Sequence, residues 1–219
     1  MLKTIQFNKT LYGYITMIVL LIGIVIFFGV HLIPLTGIKI LLVERIGEKK
    51  YQGVFSIISL VGLLIIIYGF SLIDDCNPMM VDCETDNLFL WDPFEYSREI
   101  SFMLMPVSII FIVAFLIESN FKRILRHPML ISVLIWSLCH LLSNGNLRSI
   151  ILFASFGTYS LIDLILTRKS TEQVSSYPIT KDALVIVIGL IMYSIILYFH
   201  QYISGVQIVE RNNFFFFLP

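Results

Sequence analysis

Apolar residues run through this chain in six long stretches, covering positions 11–33, 53–73, 100–117, 128–143, 147–167 and 183–203. A helix that crosses hydrocarbon needs roughly 20 apolar residues. The run lengths therefore predict an all-α polytopic membrane helix bundle of about six transmembrane helices, with almost no soluble domain. The first run has an ambiguous inner end, because positions 38–43 beyond Pro34 are apolar again. Asn144-Gly145-Asn146 reads as a tight turn between the fourth and fifth runs. Positions 121–127 form a basic hinge, 168–182 a polar linker, and 74–98 an acidic loop with seven carboxylates and two cysteines.

Composition reinforces the membrane reading. Hydrophobic residues make up 58% of the 219 and charged ones only 14%, with a mean hydropathy of +0.90. Both lie far outside the range of water-soluble domains. The formal net charge of zero leaves no basic face for nucleic acid, which is excluded as a partner; the lipid bilayer is the expected one.

Orientation follows from Lys and Arg in the short flanking segments. Lys39, Arg45, Lys49, Lys50, Lys122, Arg123, Arg126, Arg168, Lys169 and Lys181 fall on one side, against Lys3, Lys9, Arg98, Arg148 and Arg211 on the other. That asymmetry places both termini outside. The first run lacks a small-residue cleavage site after a short apolar core and reads as a helix rather than a removable signal peptide. Cys76 and Cys83 then lie in an outside loop, either bridged or as two separate thiols.

Candidate chemistry lies where polar groups interrupt the apolar runs, since an ionisable side chain in hydrocarbon needs a partner or a task. The positions are His31, Trp136, His140, Asp163 and His200. His127 and His140 are about 20 Å apart on a straight helix and cannot share a metal. His127, next to Pro128 and Arg126, reads as a helix cap or a headgroup contact. His140 lies deeper, with Trp136 one turn before and Asn144 one turn after on the same face; it is either bonded to a neighbouring helix or a metal ligand. Zinc needs more ligands than these spacings supply. Two histidines from different helices suit haem, whose macrocycle fills the equatorial positions. Glu48, Lys49 and Tyr51 read as a polar inner loop leading into the second span, where they either orient a haem propionate or solvate the loop. Asp163 is expected to pair with Tyr159 one turn away or with Arg168-Lys169.

Several motifs carry a resemblance. They are G-V-H-L-I-P at 29–34, V-E-R-I-G-E-K-K-Y-Q-G-V-F-S-I-I-S-L-V-G at 43–62, L-W-D-P with the following Arg98, L-R-H-P-M-L at 125–130, and W-S-L-C-H-L-L-S-N-G at 136–145. With L-F-A-S-F-G-T-Y-S-L-I-D at 152–163 and F-H-Q-Y-I-S-G-V at 199–206, the chain resembles the NnrU family of bacterial membrane proteins, relatives of the plant zeta-carotene isomerase. The resemblance marks 1–17 as a segment leading into the first helix, 18–206 as the NnrU-like domain and 207–219 as a tail. Glu99 stands where the family pattern suggests histidine after Arg98.

The resemblance implies a haem b held by His31 and His140, in a bacterial inner membrane; by its height on the sixth run, His200 is the substitute ligand to suspect. It implies an accessory role in nitrogen-oxide metabolism (denitrification), alongside a membrane redox partner. The alternative it implies is haem-dependent cis-trans isomerisation of a hydrophobic polyene such as a carotenoid. A distant similarity around R-H-P points to membrane methyl transfer. A shared haem requires similar depths for its two ligands, so the first span is expected to continue, bent at Pro34, through positions 38–43, which lifts His31 towards mid-membrane.

Overall fold

A computed structural model describes residues 2–72, 89–167, 176–204 and 208. Cys76 and Cys83, Arg168 and Lys169, and the Phe-rich tail lie outside the described residues. In chain order the elements are α1 (Leu2–Leu32), a 3-10 turn (Ile33–Leu35), α2 (Ile38–Ile46), α3 (Glu48–Leu72), α4 (Ser97–Leu116), α5 (Asn120–Leu125), α6 (Pro128–Ser143), α7 (Leu147–Leu166) and α8 (Ile179–Ser204). Among the described residues the only strand-like pairing is an isolated bridge between Phe89 and Asn146.

Five helical stretches are long and apolar enough to cross a membrane: Ile15–Leu35, Glu48–Leu72, Ser97–Leu116, Leu147–Leu166 and Ile179–Ser204. The remaining apolar run, the fourth along the chain, is α6, a helix of 16 residues, shorter than a usual span. Most large apolar side chains of α3 and α8 are exposed, as expected of helices whose outer faces meet lipid. The chain is an integral membrane helix bundle.

The first span differs from a bent continuous helix. α1 stops at Leu32, and Pro34, which has no N–H to offer, enters the 3-10 turn at its start. Thr36 then adopts extended backbone at φ −114° and ψ 163°. Its N–H donates to the Ile33 carbonyl at 3.1 Å, its hydroxyl donates to the same oxygen at 2.9 Å, and the hydroxyl accepts from the Ile38 N–H at 3.3 Å. Those bonds close one helix and open the next. Gly47, at φ +83°, makes the second break, between α2 and α3.

The chain divides into two compact units, residues 1–94 with 140–167, and 95–139 with 168–219. In the first, α1 and α3 form an antiparallel hairpin whose backbones touch at glycines. A Cβ on Gly23 would stand 2.6 Å from the Ile66 nitrogen, one on Gly62 2.8 Å from that of Phe27, and one on Gly69 2.6 Å from that of Leu20. Small residues let membrane helices approach this closely. All three contacts keep one register, which carries His31 to the level of Ile58. His31 thus lies about 15 Å along α3 from Glu48 at the usual rise, deep although α1 ends beside it.

In the second unit, α4 and α8 pack around Val113, Ala114 and Val185, with Gly189 against Ile110. α4 and α6 are pinned by two buried serines. The Ser108 hydroxyl donates to the Ser132 carbonyl at 3.0 Å, and the Ser132 hydroxyl returns a bond to the Ser108 carbonyl at 2.6 Å. Ser119 caps α5 by accepting from the Lys122 N–H. One Asp182 oxygen accepts from the Asn120 N–H at 2.8 Å and the Phe121 N–H at 3.4 Å, and the other from Asn120 Nδ2 at 2.7 Å. Asp182→Ala removes all these acceptors and is expected to cost about 1–2 kcal/mol. An unchanged thermal unfolding midpoint in detergent would show the clamp to be idle.

Candidate functional site

His31 occupies the last turn of α1 among aromatic rings. Its ring centroid lies 4.1 Å from Phe27, 5.1 Å from Phe55 and 5.8 Å from Tyr159. Its Nδ1 is 2.7 Å from the Phe27 carbonyl oxygen. A carbonyl only accepts, so Nδ1 carries the proton, and Nε2 of the neutral ring keeps its lone pair. A histidine that ligates a metal takes this form, donating its other ring N–H to a backbone carbonyl.

Helix α7 supplies the facing wall. Phe27 and Phe28 meet Phe156 at 5.6 and 4.9 Å, and Phe28 meets Tyr159 at 5.2 Å, so α1 and α7 run parallel here. The Tyr159 hydroxyl lies 3.3 Å from both the His31 carbonyl and the Asp163 carboxylate. It has one proton for two acceptors. Asp163 also accepts from the Thr167 hydroxyl at 2.6 Å, which leaves its two oxygens served within its own helix, as the one-turn spacing to Tyr159 suggested.

His140 reaches the same helix at a different level, its ring lying 4.4 Å from Phe153. Phe153 and Tyr159 are six residues apart on α7, about 9 Å along its axis. The two ring contacts on α7 are thus separated by under a third of the roughly 30 Å hydrocarbon core. Both histidines belong to the first unit. As a haem-ligand set they fit in donor type, in the tautomer of His31 and in their aromatic surroundings. Among the described residues no group of three or more His, Cys, Asp or Glu side chains could hold a metal.

The other expected participants are placed as follows. Asn144 turns to its own helix, donating from Nδ2 to the His140 carbonyl at 2.9 Å. His127 precedes α6, and its carbonyl accepts from the Ile131 N–H at 3.2 Å, which is the capping position. His127, Trp136 and His200 belong to the second unit. The His200 Nδ1 lies 2.9 Å from the Ser204 hydroxyl.

Glu48 and Tyr51 line a cleft of about 390 Å³ together with Lys39, Gln52, Phe55, Ser56 and Pro34. The helix break at Pro34 and the start of α3 form its walls. Gln52 Nε2 donates to Glu48 Oε1 at 2.9 Å. Tyr51 is 7% exposed, and its hydroxyl is buried without a hydrogen-bond partner. Phe55 lines the cleft while also meeting the His31 ring.

Sequence reasoning missed most of the aromatic box. Its signal was the spacing Phe153, Phe156, Tyr159 on α7 and Phe27, Phe28, His31 on α1, each set recurring within about one turn. It also missed Arg148, 6% exposed, whose guanidinium lies 4.7 Å from the Phe70 ring centroid.

A protein-family model described as NnrU protein matches residues 19–208. No curated protein and no solved structure matches the chain.

Proposed function

The chain belongs to the NnrU family, and from that premise we propose that it is a haem b protein of the bacterial inner membrane, with both termini outside, acting as an accessory in nitrogen-oxide metabolism. His31 and His140 are the iron ligands in this reading. The observation that carries it is the bond from His31 Nδ1 to the Phe27 carbonyl, which leaves Nε2 as the donor inside an aromatic enclosure. When bound, haem supplies reversible one-electron chemistry and axial positions whose occupancy the protein sets. The chain's own contribution is to hold the His31 ring through Phe27, Phe55 and Tyr159, and to exclude water with those same rings.

The test is the visible spectrum of protein purified in detergent after expression with added haem. The wild type is expected to show a haem spectrum that sharpens on reduction, His31→Ala to lose it, and His140→Ala to lose it or change its ligation state. A colourless wild type would end the haem reading. Full retention in both variants would move ligation to other residues.

The aromatic rings of Phe27, Phe28, Phe55, Phe156 and Tyr159 around His31 favour a second reading, isomerisation of a polyene lying along that wall. Supplying zeta-carotene to the haem-loaded protein and following its cis-trans composition by chromatography tests this. No conversion would leave the accessory role.

A further inference from the structure

We propose that the cleft between the Pro34 break and the start of α3 is a headgroup site for a zwitterionic phospholipid that carries a primary ammonium and a phosphate, of the phosphoethanolamine type. The proposal does not require haem to be bound, although Phe55 lines this cleft and also meets the His31 ring. Its walls carry one cation, Lys39, and one anion, Glu48, which form no ion pair with each other; the ion pair among the described residues joins Lys122 and Glu118. Gln52 occupies Oε1 of Glu48, leaving Oε2 to accept. On the same helix turn as Glu48, and lining the same cleft, sits Tyr51, with a hydroxyl that is buried and unpartnered.

A buried hydroxyl without a partner carries a desolvation penalty that a bound polar group would remove. The charges decide which group. A simple anion would be drawn to Lys39 and repelled by Glu48, and a simple cation the reverse. A molecule with both charges a few bonds apart satisfies both walls: its ammonium donates to Glu48, and its phosphate accepts from Lys39 and from the Tyr51 hydroxyl.

The surroundings favour a lipid over a soluble zwitterion. Pro34 and Phe55 give the cleft an apolar side. In the neighbouring stretches of α2 and α3 the side chains of Ile38, Ile40, Leu41, Val54 and Ile57 are exposed, apolar area that acyl chains can cover. Glu44, Arg45, Lys49 and Lys50 crowd the same stretch of sequence, as expected where a helix leaves hydrocarbon for the headgroup layer.

The experiment uses the full chain, delipidated in detergent and supplied with phosphatidylethanolamine, phosphatidylcholine or phosphatidylglycerol of identical acyl chains. Retained lipid is read by native mass spectrometry. Phosphatidylethanolamine is expected to be retained about tenfold over phosphatidylglycerol. Phosphatidylcholine should fall between them, because its methylated ammonium has no N–H for Glu48. Tyr51→Phe should weaken retention while leaving the unfolding midpoint of the lipid-free protein unchanged or raised, since the lost hydroxyl had no partner to lose. Lys39→Gln and Glu48→Gln alter exposed or half-exposed charges and should level the preference. Equal retention of the three lipids, variants that bind like wild type, or soluble O-phosphoethanolamine competing as well as the intact lipid would each overturn the assignment.

Discussion

Gly145→Ala is expected to prevent the chain from accumulating in folded form, or to lower its thermal unfolding midpoint by more than any other glycine substitution. A Cβ at this position would stand 1.7 Å from the Trp91 carbonyl oxygen and 2.7 Å from its carbon. Neither backbone can step aside cheaply. The Leu90 N–H donates to the Gly145 carbonyl at 2.8 Å and the Phe94 N–H to the Leu142 carbonyl at 3.0 Å. Trp91 Nε1 donates to the Leu141 carbonyl at 3.2 Å. Retreat would break several of these bonds at about 1 kcal/mol each, in addition to an overpacking cost of about 1–3 kcal/mol. Gly53→Ala is the control, because nothing lies within 4 Å of its Cβ and alanine favours a helix interior by about 0.8–1 kcal/mol. If the two variants unfold alike, the L-W-D-P segment is not seated on this turn.

Gly62→Ala is expected to damage both the fold and the candidate haem site. Its Cβ would meet the Phe27 nitrogen at 2.8 Å, the Cα at 3.0 Å and the Cβ at 3.1 Å. The obstruction is mostly backbone, so α1 and α3 must separate, at a cost of about 1–3 kcal/mol. Phe27 holds His31 through its carbonyl and its ring, while Phe55 of α3 lies on another side of that ring. Separation therefore loosens the histidine as well as the hairpin. Reduced haem content or an altered ligation spectrum should accompany the lower melting midpoint. A spectrum indistinguishable from wild type in a clearly destabilised variant would disconnect this hairpin from the haem ligands.

Much of the architecture was legible because it depends on local rules. The bounds of α6 could be read directly: Pro128 fits a first helical position, and the Asn144-Gly145-Asn146 turn follows Ser143. Asn146 caps α7 by accepting from the Ser149 N–H at 2.9 Å, a role its residue type announces. The break after α1 was only half legible. Pro34 signalled it, but its form depends on Thr36, whose hydroxyl bonds on both sides of the break.

What could not be read was tertiary. The depth of His31 is set by the register in which α1 meets Gly62 and Gly69, and no periodicity on α1 alone encodes that pairing. The aromatic box joins α1, α3 and α7, so its parts look like ordinary apolar positions when each helix is read separately. In the cleft, Glu48 and Tyr51 stood out by type. Lys39 joins them only because α2 turns back beside the start of α3.

The shortness of α6 has a consequence for the membrane itself. Sixteen residues at the helical rise reach about 24 Å, roughly 6 Å less than the hydrocarbon slab. Tilting shortens a helix's reach further and offers no remedy. A span this short is accommodated by local thinning of the bilayer or by flanking polar groups, here His127 at one end and Asn144 at the other, reaching the headgroup layer from within. If α6 crosses the bilayer, the protein is expected to be more stable in thin membranes than in thick ones, which makes acyl-chain length the variable that tests it.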